Sequence, residues 1–105
     1  MKLLPIFKDH VPYEAQYRLG NATYKLIFNY NYYGDYFTVD LHRGADILRT
    51  GEKVVFGKPL FSSFLADPRF PTVVIVPADL SLNTKRAGWD EMSDSVYMYL
   101  PGVIE

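Results

Sequence analysis

Apolar and polar side chains alternate most regularly over residues 22–42. Ala22, Tyr24, Leu26, Phe28 and Tyr30 alternate with Thr23, Lys25, Ile27 and Asn29; Phe37, Val39 and Leu41 then alternate with Tyr36, Thr38, Asp40 and His42. A period of two is that of a strand with one face in a core, because successive side chains point to opposite sides of the sheet. The intervening Asn31-Tyr32-Tyr33-Gly34-Asp35 predicts a short turn, with Gly34 at positive φ and the Asn31 and Asp35 side chains bonding nearby backbone. A long hairpin is expected at the centre of the fold.

The rest of the chain supplies shorter pieces of the same kind. Residues 13–19 alternate cleanly, and Gly20-Asn21 predicts a tight connection into the hairpin. Residues 3–7 are apolar but broken by Pro5, which suits a sheet edge or a neighbouring subunit. After the hairpin, Arg43-Gly44-Ala45 and Gly51-Glu52 predict turns around short strands at 46–50 and 53–56. Residues 60–65 read as a helical turn or a packed loop, 66–71 as a rigid loop, and Thr72-Val73-Val74-Ile75-Val76 as a strand covered on both faces. Periodicity dissolves from Pro77 to Ser95, with a weak helical pattern over 87–92. It returns at residues 95–100, before Pro101-Gly102 ends the run. The sum is an all-β fold, a small antiparallel β-sandwich or barrel of about seven short strands with at most one short helical turn. We expect a single β domain over 1–105, with 1–12 as an N-terminal arm or edge strand and 13–100 as the core.

Composition narrows the function classes. The chain has 105 residues, enough for a single core. Its net charge of −1 provides no basic field for a nucleic-acid backbone, so nucleic acid is not expected as the main partner. Cysteine is absent, which removes disulfides, thiolate metal sites and cysteine nucleophiles. The first eight residues are too short and too interrupted for the apolar part of a signal peptide. No window reaches the roughly 18 apolar residues of a membrane span, so synthesis in a cytoplasm is expected. The Asn21-Ala22-Thr23 sequon is read as accidental. Aromatic residues are heavy at 16%, including 9 Tyr and 7 Phe, which favours strands and contact surfaces.

Reactive constellations are missing. His42 and Asp40 share a strand face, and Asp90, Glu91 and Asp94 cluster, but neither set completes a metal site, and His10 stands apart. Ser62-Ser63 lacks a nucleophile elbow, and no glycine-rich phosphate loop occurs. No catalytic residue, cofactor or metal is assigned, and an enzyme is not expected. The candidates that remain are for protein contact: Tyr30, Tyr32, Tyr33 and Tyr36, with Phe61, Phe64 and Trp89. The tyrosines serve either as an outward contact surface or as cross-strand aromatic pairs that stabilise the sheet.

A family resemblance rests on specific stretches. They are Tyr17-Arg18-Leu19-Gly20, then Tyr24-Lys25-Leu26 leading to Asn29-Tyr30-Asn31, Gly34-Asp35-Tyr36-Phe37-Thr38-Val39-Asp40-Leu41, Gly51-Glu52-Lys53-Val54-Val55-Phe56-Gly57-Lys58-Pro59-Leu60 and the closing Tyr97-Met98-Tyr99-Leu100. Together they resemble the small phage tail proteins of the cyanophage baseplate plug family, over about residues 13–100 and least over 77–94. The resemblance implies a non-enzymatic virion part at the distal end of a tail tube, in contact with hub, tube and baseplate proteins. We expect a homo-oligomer, repeated about the tail axis as a trimer or higher ring. A carbohydrate- or peptide-binding module with a tyrosine platform is the alternative.

Overall fold

Residues 2–20, 22–64 and 66–101 are described by a computed structural model of the chain. Among them, seven strands build two antiparallel sheets, with two single 3-10 turns, Lys8–His10 and Ser62–Phe64, and no α-helix. The strands are β1 (Lys2–Leu4), β2 (Tyr13–Leu19), β3 (Ala22–Asn31), β4 (Tyr36–Arg43), β5 (Asp46–Lys53), β6 (Val76–Ala78) and β7 (Tyr97–Leu100). One sheet is the meander β2-β3-β4-β5; the other has the order β1-β7-β6. The fold is the all-β, antiparallel two-sheet arrangement that the alternation predicts.

The central hairpin forms in the register its pattern requires. Leu26 faces Leu41, Phe28 faces Val39 and Tyr30 faces Phe37, so the inward set of each strand meets the inward set of the other. Leu26, Phe28, Phe37, Val39 and Leu41 are wholly buried, in one cluster with Leu4, Met98 and Leu100 of the second sheet. Each such side chain contributes about 1.5–3 kcal/mol by leaving water, which makes this the main source of stability. β2 continues the pattern with its odd residues inward, and the Tyr13 ring stacks on Phe28 at 5.0 Å.

Several local expectations need correction. Residues 46–53 form one strand rather than two separated by a turn. Between the pairs Val39–Glu52 and Leu41–Arg49, the single residue Asp40 faces both Thr50 and Gly51, a β-bulge. Gly51 takes φ 70 there and donates its N–H to Asp40 Oδ1 at 2.7 Å. Val54 N–H still reaches Phe37 O of β4 at 2.9 Å, and the chain then crosses to the second sheet, where Gly57 N–H reaches Pro77 O and Leu60 N–H reaches Ile75 O. The run 72–76 is not a strand covered on both faces: only Val76 enters β6, and Val74 is 41% exposed. Pro77 has no N–H to donate and lies within β6, which pairs with β7 over only three residues. No helix forms at 87–92. One bond, Met92 N–H to Gly88 O, closes a turn, after which the N–H groups of Asp94, Ser95 and Val96 all converge on Glu91 O and Ser93 takes φ 62. The helical turn expected within 60–65 is Ser62–Phe64, and a second occurs at Lys8–His10. Asn21 of the expected tight connection, Leu65 and Gly102 lie outside the described residues.

Candidate functional site

The tip of the hairpin presents the tyrosines. Asn31 at the end of β3 organises the turn, its Oδ1 accepting Gly34 N–H at 2.9 Å and its Nδ2 donating to the Tyr36 hydroxyl at 3.0 Å. Positive φ falls on Asp35, at 54°, and not on Gly34 as the sequence suggests. Aspartate tolerates this region because its short polar side chain can be held in place. Here the carboxylate is held by distant groups instead of the local backbone. Asp35 Oδ1 accepts the Tyr30 hydroxyl at 2.5 Å and Trp89 N–H at 2.9 Å, while Oδ2 accepts from Arg86.

Those bonds fasten the hairpin to the segment 86–91. Arg86 also approaches Glu91 Oε1 at 3.3 Å, and the same oxygen accepts Gly88 N–H at 3.0 Å. A Cβ on Gly88 would stand 2.6 Å from Asp35 Oδ2, 2.7 Å from Arg86 Nη2 and 2.8 Å from Glu91 Oε1, so any larger residue must push these side-chain ends aside. Aromatic contacts reinforce the joint. Tyr30 lies 4.9 Å from both Phe37 and Trp89, Trp89 stacks on Phe37 at 5.9 Å, and Lys8 donates to Trp89 O at 2.5 Å. The bond to Asp35 pushes the Tyr30 hydroxyl from 10.0 up to about 12. In return the Tyr30 hydroxyl, followed by Trp89 N–H and Arg86, holds the Asp35 carboxyl below its ordinary 3.8.

On this fastened base, Tyr32 is 80% and Tyr33 98% exposed, edge to face at 5.8 Å. The seven residues considered for contact therefore separate. Tyr32 and Tyr33 face solvent, and Tyr30 and Trp89 form the half-buried floor of the same open concavity, with Asp90. Tyr36 is half-buried under the Lys53 ammonium, 4.4 Å from its ring centroid. Phe61, at 4% exposure, lies in the core of the single chain, its backbone N–H donating to the buried Glu52 Oε2 at 2.9 Å. Phe64 stacks flat on Phe70 at 4.6 Å and lines a separate hollow with Pro71 and Val73.

Two of the other polar candidates have structural partners. Asp40 caps the bulge at Gly51, Glu91 holds Arg86 and Gly88, and among the described residues no three His, Cys, Asp or Glu side chains gather as metal ligands. Three residues that organise this end of the molecule escaped sequence reasoning in these roles. Asp35 and Arg86 are 51 positions apart, and no local spacing links them. Asp79 is the other organiser missed, with 4% exposure. It accepts the N–H groups of Ser81, Asn83 and Thr84 and both hydroxyls of Ser81 and Thr84. The Asp-x-Ser spacing was its only visible signal, the usual form of an aspartate turn.

Comparison with known proteins adds one finding. The family model described as cyanophage baseplate Pam3 plug gp18 matches residues 1–102. No curated protein and no solved structure matches the chain. The match covers both sheets, the hairpin tip and the segment 77–94 where the motif resemblance is weakest, and on it the chain belongs to the cyanophage baseplate plug family.

Proposed function

We propose that the chain is a non-enzymatic subunit that closes or bridges the hub at the distal end of a phage tail tube, acting through protein–protein contacts centred on Tyr32 and Tyr33. The observation that carries the contact assignment is the exposed tyrosine pair on a turn fixed from below by Asp35, Arg86 and Trp89. An exposed aromatic pair on a mobile loop would lose side-chain and backbone freedom when a partner binds; on a fastened turn that cost is already met in folding. Aromatic anchors of this kind carry a large share of interface energy. The reading places the protein in the virion after synthesis in the host cytoplasm, as a homo-oligomer beside hub, tube and baseplate proteins.

The test is incorporation into particles. The double variant Tyr32→Ala/Tyr33→Ala should fold with unchanged circular dichroism, yet enter tails at about one-tenth of the wild-type level or less. Wild-type incorporation by that variant would remove the tyrosines from the contact. Particles without this chain, together with tyrosine fluorescence that shifts on adding a glycan or a peptide, would replace the reading with that of a carbohydrate- or peptide-binding module.

A further inference from the structure

A two-sheet fold leaves four edge strands, and three of these edges are blunted. β5 carries register shifts on either side of Leu41, including the bulge at Gly51. β6 has three residues, includes Pro77, and is flanked by the bonds from Gly57 and Leu60 to Pro77 O and Ile75 O. β1 has three residues and stops before Pro5. Bulges, prolines, short length and covering chain are the usual means of preventing edge pairing. β2 has no bulge and no break in its ladder; the segment 5–7 meets it through its side chains alone, Phe7 N–H donating to the Tyr13 hydroxyl at 3.0 Å and the Tyr17 hydroxyl donating to Pro5 O at 3.4 Å, and among the described residues no backbone bond reaches its outer edge. The strand is seven residues long, pairs with β3 through seven consecutive residues without a shift, and contains no proline.

The outer face of β2 carries Glu14, Gln16 and Arg18, all exposed. Laid antiparallel against a copy of itself about Gln16, the strand places Glu14 opposite the copy's Arg18, and Arg18 opposite the copy's Glu14. On the inner face the same register sets Tyr13 against Leu19 and Ala15 against Tyr17. Tyr13, Ala15 and Tyr17 are only half-buried in the single chain, and Phe7, 54% exposed, leans on Tyr13 with ring centroids 6.2 Å apart. Glu14 has one distant partner, Lys25 at 3.6 Å, and Arg18 forms no ion pair among the described residues. A parallel alignment would stack like charges, so charge selects the antiparallel one. From this self-complementarity we infer that β2 is a docking edge for a second copy of the chain, joining two four-stranded meanders into one continuous sheet about a twofold axis.

Such a contact is isologous: each patch meets its own image. It goes beyond the baseplate reading and does not depend on it, being a property of the free chain measured with no other tail protein present. It also uses a different surface from the Tyr32 and Tyr33 contact proposed above. A contact of one strand against its copy belongs at the small, weak end of protein interfaces, below the roughly 1,200 Å² of a standard one, so a reversible dimer is expected.

Sedimentation equilibrium from micromolar to millimolar concentration tests this. The wild-type chain should pass from monomer to dimer. Arg18→Glu and Glu14→Arg should each raise the dissociation constant about tenfold by opposing like charges, and Gln16→Glu should do the same at the axis. The double exchange Glu14→Arg/Arg18→Glu should recover most of the loss, which a merely structural role for either side chain would not produce. Circular dichroism of each variant confirms folding, and all three positions are exposed. A monomer throughout, a trimer without a dimer, single variants that associate like wild type, or a double exchange without recovery would each overturn the inference.

Discussion

The β3–β4 hairpin and the segment 79–92 face the same requirement, partners for backbone groups removed from water, and meet it differently. In the hairpin each strand supplies the other through a ladder, and side chains are left to build the core. In the segment there is no neighbouring strand, so carboxylates take the place of the ladder. Asp79 accepts the N–H groups of Ser81, Asn83 and Thr84, Glu91 that of Gly88, and Asp35 that of Trp89. A ladder distributes its support over many replaceable positions. A carboxylate concentrates it on one side chain, so the two regions should fail differently.

The largest loss is expected from the hairpin core. Phe28→Ala empties a wholly buried site against Val39 and Tyr13 and should cost about 3–5 kcal/mol, read from the denaturant midpoint at unchanged slope. A cost of less than about 1 kcal/mol would mean that the hairpin is not the source of stability.

Asp79→Ala comes next, and sharpens the comparison because it removes one carboxylate and leaves five donors without an acceptor. Hydrogen exchange should accelerate at Ser81, Asn83 and Thr84 while β3 and β4 stay protected. The pH dependence has a definite sign. The Ser81 hydroxyl, aided by the Thr84 hydroxyl and by the N–H groups of both residues, holds the Asp79 carboxyl well below its ordinary 3.8 against the opposing effect of burial. Its contribution is therefore complete above the ordinary value and declines as pH falls below it. Wild type should lose more stability than Asp79→Ala between neutral and strongly acid pH; equal losses would deny Asp79 this role.

Gly88→Ala tests the junction of the two regions. The added methyl meets the ends of Asp35, Arg86 and Glu91, which can turn aside, so the expected cost is about 1 kcal/mol with a change in Trp89 fluorescence. An unchanged spectrum would show that Trp89 does not depend on the fastening.

The smallest effect is alkaline. Neutral Tyr30 donates to Asp35, and its hydroxyl is pushed from 10.0 up to about 12. The stability linked to it is present below pH 10 and lost as pH rises through about 12. Tyr30→Phe should remove that dependence, seen as a flatter stability profile across the same window; an identical slope would assign the alkaline loss to other tyrosines.

Much of this architecture was legible in the chain. The period-two runs at 13–19, 22–30 and 36–42 located three of the four meander strands and chose their inward residues, because alternation leaves one register that buries most of the apolar side chains. β5 was legible only in part, since Gly51 marks a turn and a bulge equally well. Residues 72–76 misled because β-branched composition reports what a strand accepts and says nothing of whether a partner is present. Of the candidate site, exposure of Tyr32 and Tyr33 follows from their place at a turn, whereas the burial of Phe61 beside Phe70 depends on contacts that local pattern does not show.

By itself the sequence determined the class of fold, the hairpin and its inner face, and the absence of cysteine chemistry, since these depend on composition and on neighbours two positions apart. The tertiary structure alone decided which strand edges stay open, that Asp35 answers Arg86 and Trp89, and that Asp79 replaces a ladder. The physical reason is range. Alternation is a property of one strand, while an edge or an ion pair between residues 51 positions apart exists only after the chain has closed on itself.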